Sequence, residues 1–177
     1  GVDSFTYTIR DASGSNTTKT VDVQVVPNID EFYALDDHYI IVAGSGEFDL
    51  PVLFNDGATG ANSTALEIIN LGLDTQAPPE ASRVDYTASV VKYTAPATAT
   101  TEVFNYEISD GTSERREATI TVTVVDSLPT ATNPLDDYYH VAKNSSGHEF
   151  DVLINDIPLP DAGWQWSLVS VDAPSNG

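Results

Sequence analysis

Residues 102–110 read EVFNYEISD, and a polar turn later residues 118–125 read ATITVTVV. Phe104, Tyr106 and Ile108 alternate with polar neighbours, the period of two that marks a strand with one face buried. The β-branched run that follows supplies a second strand, so the pair reads as a hairpin. The same text occurs near the start of the chain. In DSFTYTIRD, residues 3–11, Phe5, Tyr7, Ile9 and Asp11 match Phe104, Tyr106, Ile108 and Asp110 at an offset of 99, and KTVDVQVV follows at 19–26.

A second block repeats with nearly the same spacing. Asp36 and Asp37 in ALDDHY return as Asp136 and Asp137 in PLDDYY, an offset of 100. Val52, Leu53, Asn55 and Asp56 return as Val152, Leu153, Asn155 and Asp156. Two blocks with a common spacing imply a structural unit of about 100 residues. We place its boundaries near Pro27 and Ser127. Residues 1–27 are then the last two strands of one unit, 28–126 a complete unit, and 127–177 the first three strands of a third.

Within the complete unit, strand signals fall at 37–43, 48–54, 64–73, 82–87, 89–95, 102–109 and 116–125. Turn residues such as Asp56-Gly57, Pro78-Pro79 and Asp110-Gly111 separate several of them, and no window has a helical period. The expected fold is all-β, with seven short strands in a two-sheet sandwich of immunoglobulin type and Greek-key connections.

Composition narrows the function. Seven Lys and Arg stand against 27 Asp and Glu, a formal charge of −20 over 177 residues. Such a field repels nucleic acid and anionic membrane and attracts cations. The absence of cysteine excludes a disulfide scaffold, a thiolate metal site and a thiol nucleophile. There is no methionine, no signal peptide and no apolar run long enough to span a bilayer, so the chain reads as an internal segment of something longer.

The run DSFTYTIRDASGSNTTKTVDVQVV, the linker and aspartate pair in NIDEFYALDDHY, and the VLFND and VLIND blocks resemble the tandem cadherin-like, immunoglobulin-like repeats of large bacterial surface and secreted adhesins. The resemblance covers nearly the whole chain. It implies an extracellular array, commonly stiffened by calcium, that holds an adhesive or enzymatic tip away from the cell. Its partners would be neighbouring repeats of the same chain or adjacent chains of a fibre.

With strands running alternately up and down, the start of the first strand, the loop after the second and the turn between the last two share one pole of a unit. In the complete unit those places hold Asp36, Asp37, Asn55, Asp56 and Asp110, and the preceding linker adds Asp30 and Glu31. The third copy offers Asp136, Asp137, Asn155 and Asp156, with Asp126 in its linker, and the first copy offers Asp11. Hard oxygen ligands in that number suit Ca²⁺, which takes six to eight oxygens in flexible geometry. The same residue types also cap turns through local hydrogen bonds to backbone, and both roles stay open on the sequence alone.

Other features point to less. His38, His140 and His148 have no zinc spacing. Trp164 and Trp166 share a strand face and serve either the core or a polysaccharide-stacking platform. Arg115 and Arg116 are expected to pair with Glu114 and Glu117. The sequons at Asn16, Asn62 and Asn144 matter only in a secreted eukaryotic protein. No nucleophile elbow, phosphate loop or cleft-spanning carboxylate pair is present, so the chain reads as non-enzymatic. The alternatives to an adhesive spacer are a polysaccharide-binding module and accessory repeats of a secreted enzyme.

Each partial end, taken alone, would leave an apolar sheet face and open edges in water. The missing strands could come from a continuing array or from the end of another molecule, joined head to tail as a fibre. Together, the two ends lack only the hairpin formed by the fourth and fifth strands.

Overall fold

The computed structural model describes residues 1–11, 13–26, 33–57, 66–127, 134–144, 146–153, 155–156 and 167–176. They form an all-β molecule whose only helical element is a single 3₁₀ turn, Ala81–Arg83. The strands are β1 (Val2–Arg10), β2 (Asn16–Val26), β3 (Asp37–Val42), β4 (Glu47–Leu50), β5 (Glu67–Gly72), β6 (Val84–Tyr86), β7 (Val91–Thr94), β8 (Thr100–Ser109), β9 (Arg116–Val125), β10 (Asp137–Ala142) and β11 (Ser167–Val171). The seven strand signals of the central region correspond in order to β3 through β9. The fourth signal is trimmed to three residues at β6.

Three sheets result, in the orders β10-β2-β1-β11, β3-β9-β8-β5 and β4-β7-β6. The last two enclose one core between them, in keeping with a β-sandwich. Ile41, Leu50, Val91, Tyr93, Phe104, Tyr106, Ile108 and Ile120 are all sealed from water there. Alternation explains the enclosure: in β8 and β9 every second residue turns inward, and the residues between them, such as Glu107, Glu117, Thr119 and Thr121, face the other way. We call residues 33–127 the continuous unit.

The first sheet joins the two ends of the chain. The hairpin β1–β2 pairs in antiparallel register, Val2 opposite Gln24 through Arg10 opposite Asn16. On one side β10 adds to β2 in parallel, and on the other β11 adds antiparallel to β1. The ends are therefore not two separate open half-units, as the sequence alone suggests; they complete one sheet with each other. Its core is Tyr7, Ile9, Val21, Val23, Tyr139 and Val152, with Phe54 of the continuous unit packed against it. We call this the composite unit.

The two four-stranded sheets agree residue for residue. Asp37 sits opposite Ile120 in one, and Asp137 opposite Val21 in the other. The pairing of β5 with β8 shifts between Ile68 and Asn70. The pairing of β11 with β1 shifts at the corresponding place, between Thr8 and Ile9. The hairpin turns also match: each contains a glycine at positive φ, +88° at Gly14 and +86° at Gly111, which a side chain would resist. Only the third sheet lacks a second copy among the described residues.

Candidate functional site

The first residue of β3 and the loop after β4 meet because β3 lies in one sheet and β4 in the facing one. Their polar side chains divide into two groups. Asp36 and Asp56 are structural acceptors. Asp36 Oδ1 accepts from the backbone N–H of Thr119 at 2.8 Å, which ties the strand start to β9. Asp56 Oδ1 accepts from Leu35 N–H at 2.8 Å, and its Oδ2 from the Tyr106 hydroxyl at 2.9 Å. That hydroxyl also lies 3.1 Å from the Leu35 carbonyl oxygen and 3.2 Å from that of Val52.

Asp37 and Asn55 are different. Asp37 is only 4% exposed, and neither carboxylate oxygen has a hydrogen-bond partner among the described residues. Asn55 donates through Nδ2 to the Asp36 carbonyl at 3.2 Å, but its Oδ1 is buried without a donor. The Tyr39 hydroxyl is also buried and unpartnered. Buried acceptors of this kind normally find a partner, since leaving one bare costs about 1–3 kcal/mol, and more if it is charged.

The composite unit reproduces the arrangement. Asp156 accepts from Leu135 N–H at 2.7 Å and from the Tyr7 hydroxyl at 2.7 Å, and Asp136 accepts from Thr20 N–H at 3.2 Å. Asp137, 2% exposed, has two bare oxygens; Asn155 Oδ1 and the Tyr139 hydroxyl are bare as well.

Burial pushes these carboxyls up. Asp37 lies well above the ordinary range, first because it is desolvated and second because Asp56 is close. Asp56 is pushed up to about 7 by burial, against the pull of Leu35 N–H and Tyr106. Asp137 reaches about 8, from burial and then the charge of Asp156, and Asp156 reaches about 6, chiefly from burial. Desolvation also raises the hydroxyls of Tyr106 and Tyr7, and their carboxylate neighbours add to it. The two tyrosines stay protonated donors.

Residues of both sites line one cavity of about 560 Å³. Asp36, Asp37 and Asn55 line it from one side, and Asp136, Asp137 and Asn155 from the other. His38 and His140 line it too. His38 Nε2 is 2.8 Å from Thr123 Oγ1, and burial lowers the pKa of both histidines. Tyr33 fastens the two units together nearby. Its ring packs on His140 at 4.7 Å between centroids, and its hydroxyl donates to the His140 carbonyl at 3.1 Å. Gly57 pairs with the Tyr33 backbone and must be glycine for this, since a Cβ there would come within 2.4 Å of the Tyr33 ring.

Two of the expected ligands stand elsewhere. Asp110 accepts from Thr112 N–H at 2.9 Å and from Thr112 Oγ1 at 2.6 Å, closing its own turn. Asp11 does the same with Ser13 N–H, Ser13 Oγ and Ser15 N–H. Neither residue is among those lining the cavity, and the β8–β9 hairpin continues several residues past the level at which β3 begins, opposite Ile120. Asp30, Glu31, Trp164 and Trp166 lie outside the described residues.

Two further features differ from expectation. Arg116 does pair with Glu114, at 3.2 Å. Arg115, however, donates to Ser109 Oγ and to the carbonyls of Thr112 and Glu114 rather than to a carboxylate. The part played by Tyr7 and Tyr106 was not anticipated, although the repeated Phe-x-Tyr-x-Ile pattern contained the signal: a tyrosine kept where phenylalanine would fill the core has a use for its hydroxyl.

No protein-family model matches the chain, and no curated protein resembles it in sequence.

Proposed function

We propose that the chain is a structural and adhesive repeat segment of a long extracellular bacterial array. Its units are cadherin-like and immunoglobulin-like Greek-key sandwiches, one continuous and two partial in sequence, and Ca²⁺ stiffens it between units. It acts as a spacer without enzymatic activity. One observation carries the proposal: two equivalent sets of buried oxygens without donors among the described residues, on Asp37 with Asn55 and on Asp137 with Asn155, belong to residues that line one cavity between two units. Acceptors without donors, walled by carboxylates, need a cation or protons.

The donor set fits calcium with one qualification. Among the described residues, no three Asp, Glu or His side chains form a metal cage. The fit rests instead on two carboxylate oxygens and one amide oxygen from each side, with the second oxygens of Asp36 and Asp136 in reserve. Ca²⁺ accepts such mixed oxygen sets and fills the remainder with water. Bound there, it would supply the positive charge that the buried carboxylates lack.

Titrating Ca²⁺ into chelator-treated protein should raise the melting temperature. With ligand at 100 times its dissociation constant, the gain is about 2.7 kcal/mol. Asp37→Asn and Asp137→Asn should each weaken the response, whereas Asp110→Asn should leave it intact. Melting and small-angle scattering that are the same in calcium and in chelator would sink the calcium reading.

A further inference from the structure

The oxygens of each aspartate site sit on two segments that share almost no backbone pairing. In the continuous unit, Leu35, Asp36 and Asp37 lead into β3, which pairs with β9, whereas Asn55 and Asp56 lie in the loop after β4, which pairs with β7. Among the described residues, a single isolated bridge, Tyr33 with Gly57, joins the two segments as neighbouring strands are joined. Side chains do the rest.

Tyr106 stands where the segments meet. Its ring is fully buried on β8, as is that of Phe104 two residues earlier on the same face. Phenylalanine serves packing alone there, so the Tyr106 hydroxyl has a separate use. It lies 2.9 Å from Asp56 Oδ2 and 3.2 Å from the Val52 carbonyl oxygen on one segment, and 3.1 Å from the Leu35 carbonyl oxygen on the other. With one proton among three acceptors, it donates to the carboxylate, the strongest of them. Asp56 is thereby turned so that its Oδ1 accepts from Leu35 N–H at 2.8 Å. Asn55, one residue back, then reaches the Asp36 carbonyl through Nδ2 at 3.2 Å.

The composite unit repeats these contacts. The Tyr7 hydroxyl lies 2.7 Å from Asp156 Oδ2 and 3.1 Å from the Leu135 carbonyl oxygen, and Asp156 Oδ1 accepts from Leu135 N–H at 2.7 Å. Tyr7 and Asp156 are 149 residues apart in the chain and Tyr106 and Asp56 only 50, yet the two constellations agree. The arrangement belongs to the site rather than to one stretch of sequence.

We propose that Tyr106 and Tyr7 are the positioning residues of the two sites. Each hydroxyl latches one aspartate, Asp56 or Asp156, and through it holds the oxygens of Asp37 with Asn55, or of Asp137 with Asn155, in the arrangement that takes up the divalent cation. The hydroxyl is not itself a ligand. The inference rests on the calcium reading above.

The test uses the whole 177-residue chain and the variants Tyr106→Phe, Tyr7→Phe and Tyr93→Phe. Each removes one buried hydroxyl and keeps its ring; that of Tyr93 donates to Glu102 at 2.6 Å, which belongs to neither site. Calcium is titrated into chelator-treated protein far below the melting temperature and followed by NMR at the side-chain amides of Asn55 and Asn155. Tyr106→Phe should weaken binding at Asn55 by about 10–100-fold and leave Asn155 unchanged, and Tyr7→Phe should do the reverse. Tyr93→Phe should lower the melting temperature and leave both affinities as they were. Unchanged or tighter binding in Tyr106→Phe and Tyr7→Phe, even with a lowered melting temperature, would overturn the proposal. Amide exchange in chelator reads the latch without calcium: Tyr106→Phe should speed exchange at Leu35 at least tenfold and spare Thr119, whose N–H is held by Asp36. If the wild-type chain takes up no calcium, the calcium reading fails by itself and exchange decides on the latch, which equal rates at Leu35 in the two proteins would overturn.

Discussion

The continuous and composite units share a four-stranded sheet of one register and an aspartate site of one design, yet among the described residues only the continuous unit shows a second sheet over its core. The sheet and the site form in both because everything they need lies within the strand pairs and the loops beside them: β3 or β10 against β9 or β2, with a tyrosine from β8 or β1 beneath. The closed core needs more. Among the described residues it is seen where β4, β6 and β7 cover the sheet.

The largest expected effect concerns what the units share. In chelator, the protein should lose stability as pH rises from about 4 to about 8. In the unfolded chain these aspartates ionise near their ordinary value of 3.8. In the folded chain Asp156 holds its proton to about 6, Asp56 to about 7 and Asp137 to about 8, and Asp37 too is raised well above its ordinary value. The folded state thus binds more protons across that window, and its stability falls with pH. Calcium competes with those protons and should flatten the slope. Melting curves of Asp37→Asn and Asp137→Asn, each expected to remove a similar part of the slope, would show whether the two sites are equivalent.

The next effect concerns what the units do not share. Phe104→Ala should cost about 3–5 kcal/mol, the usual range for a sealed aromatic. Phe5→Ala, at the matching but half-covered position, should cost about 1 kcal/mol. Denaturant unfolding of both variants measures the difference, and equal costs would mean that the composite core is as closed as the other.

Arg83→Ala separates the units again. It leaves Glu102 buried beside Tyr93 without its cation, a loss of about 3 kcal/mol. Asp3→Asn, at the position matching Glu102, should change little, because its partners are exposed hydroxyl and amide groups at residues 175 and 176. The smallest effect is in the turns. Asp11→Ala should cost about 1 kcal/mol through its three local hydrogen bonds, with the calcium response unchanged. A reduced calcium response would return Asp11 to the ligand set.

Local pattern made most of the strands legible. Alternation in 102–110 and 118–125 predicts β8 and β9 almost to the residue, and the 99- and 100-residue offsets predict that β1, β2 and β10 match β8, β9 and β3. Asp36, Asp37, Asn55 and Asp56 were legible as a group for the same reason. The different duties of these four were not. Neighbours distant in the chain, Thr119, Tyr106 and Leu35, satisfy Asp36 and Asp56 and leave the Asp37 oxygens and Asn55 Oδ1 bare, and no spacing in the sequence reveals which oxygen meets which donor.

By itself the sequence determined the strand content, the period of the repeat, the acidic charge and the set of oxygens available at each unit, because these depend on residue type and on spacings of two or of about one hundred. Tertiary structure alone decided three things. It joined the two chain ends in one sheet, set two aspartate sites on a single cavity, and left Asp11 and Asp110 to their own turns. Each depends on how far a hairpin extends past its neighbour and on which open edge lies within reach of another, quantities fixed only when strands more than 100 residues apart pair.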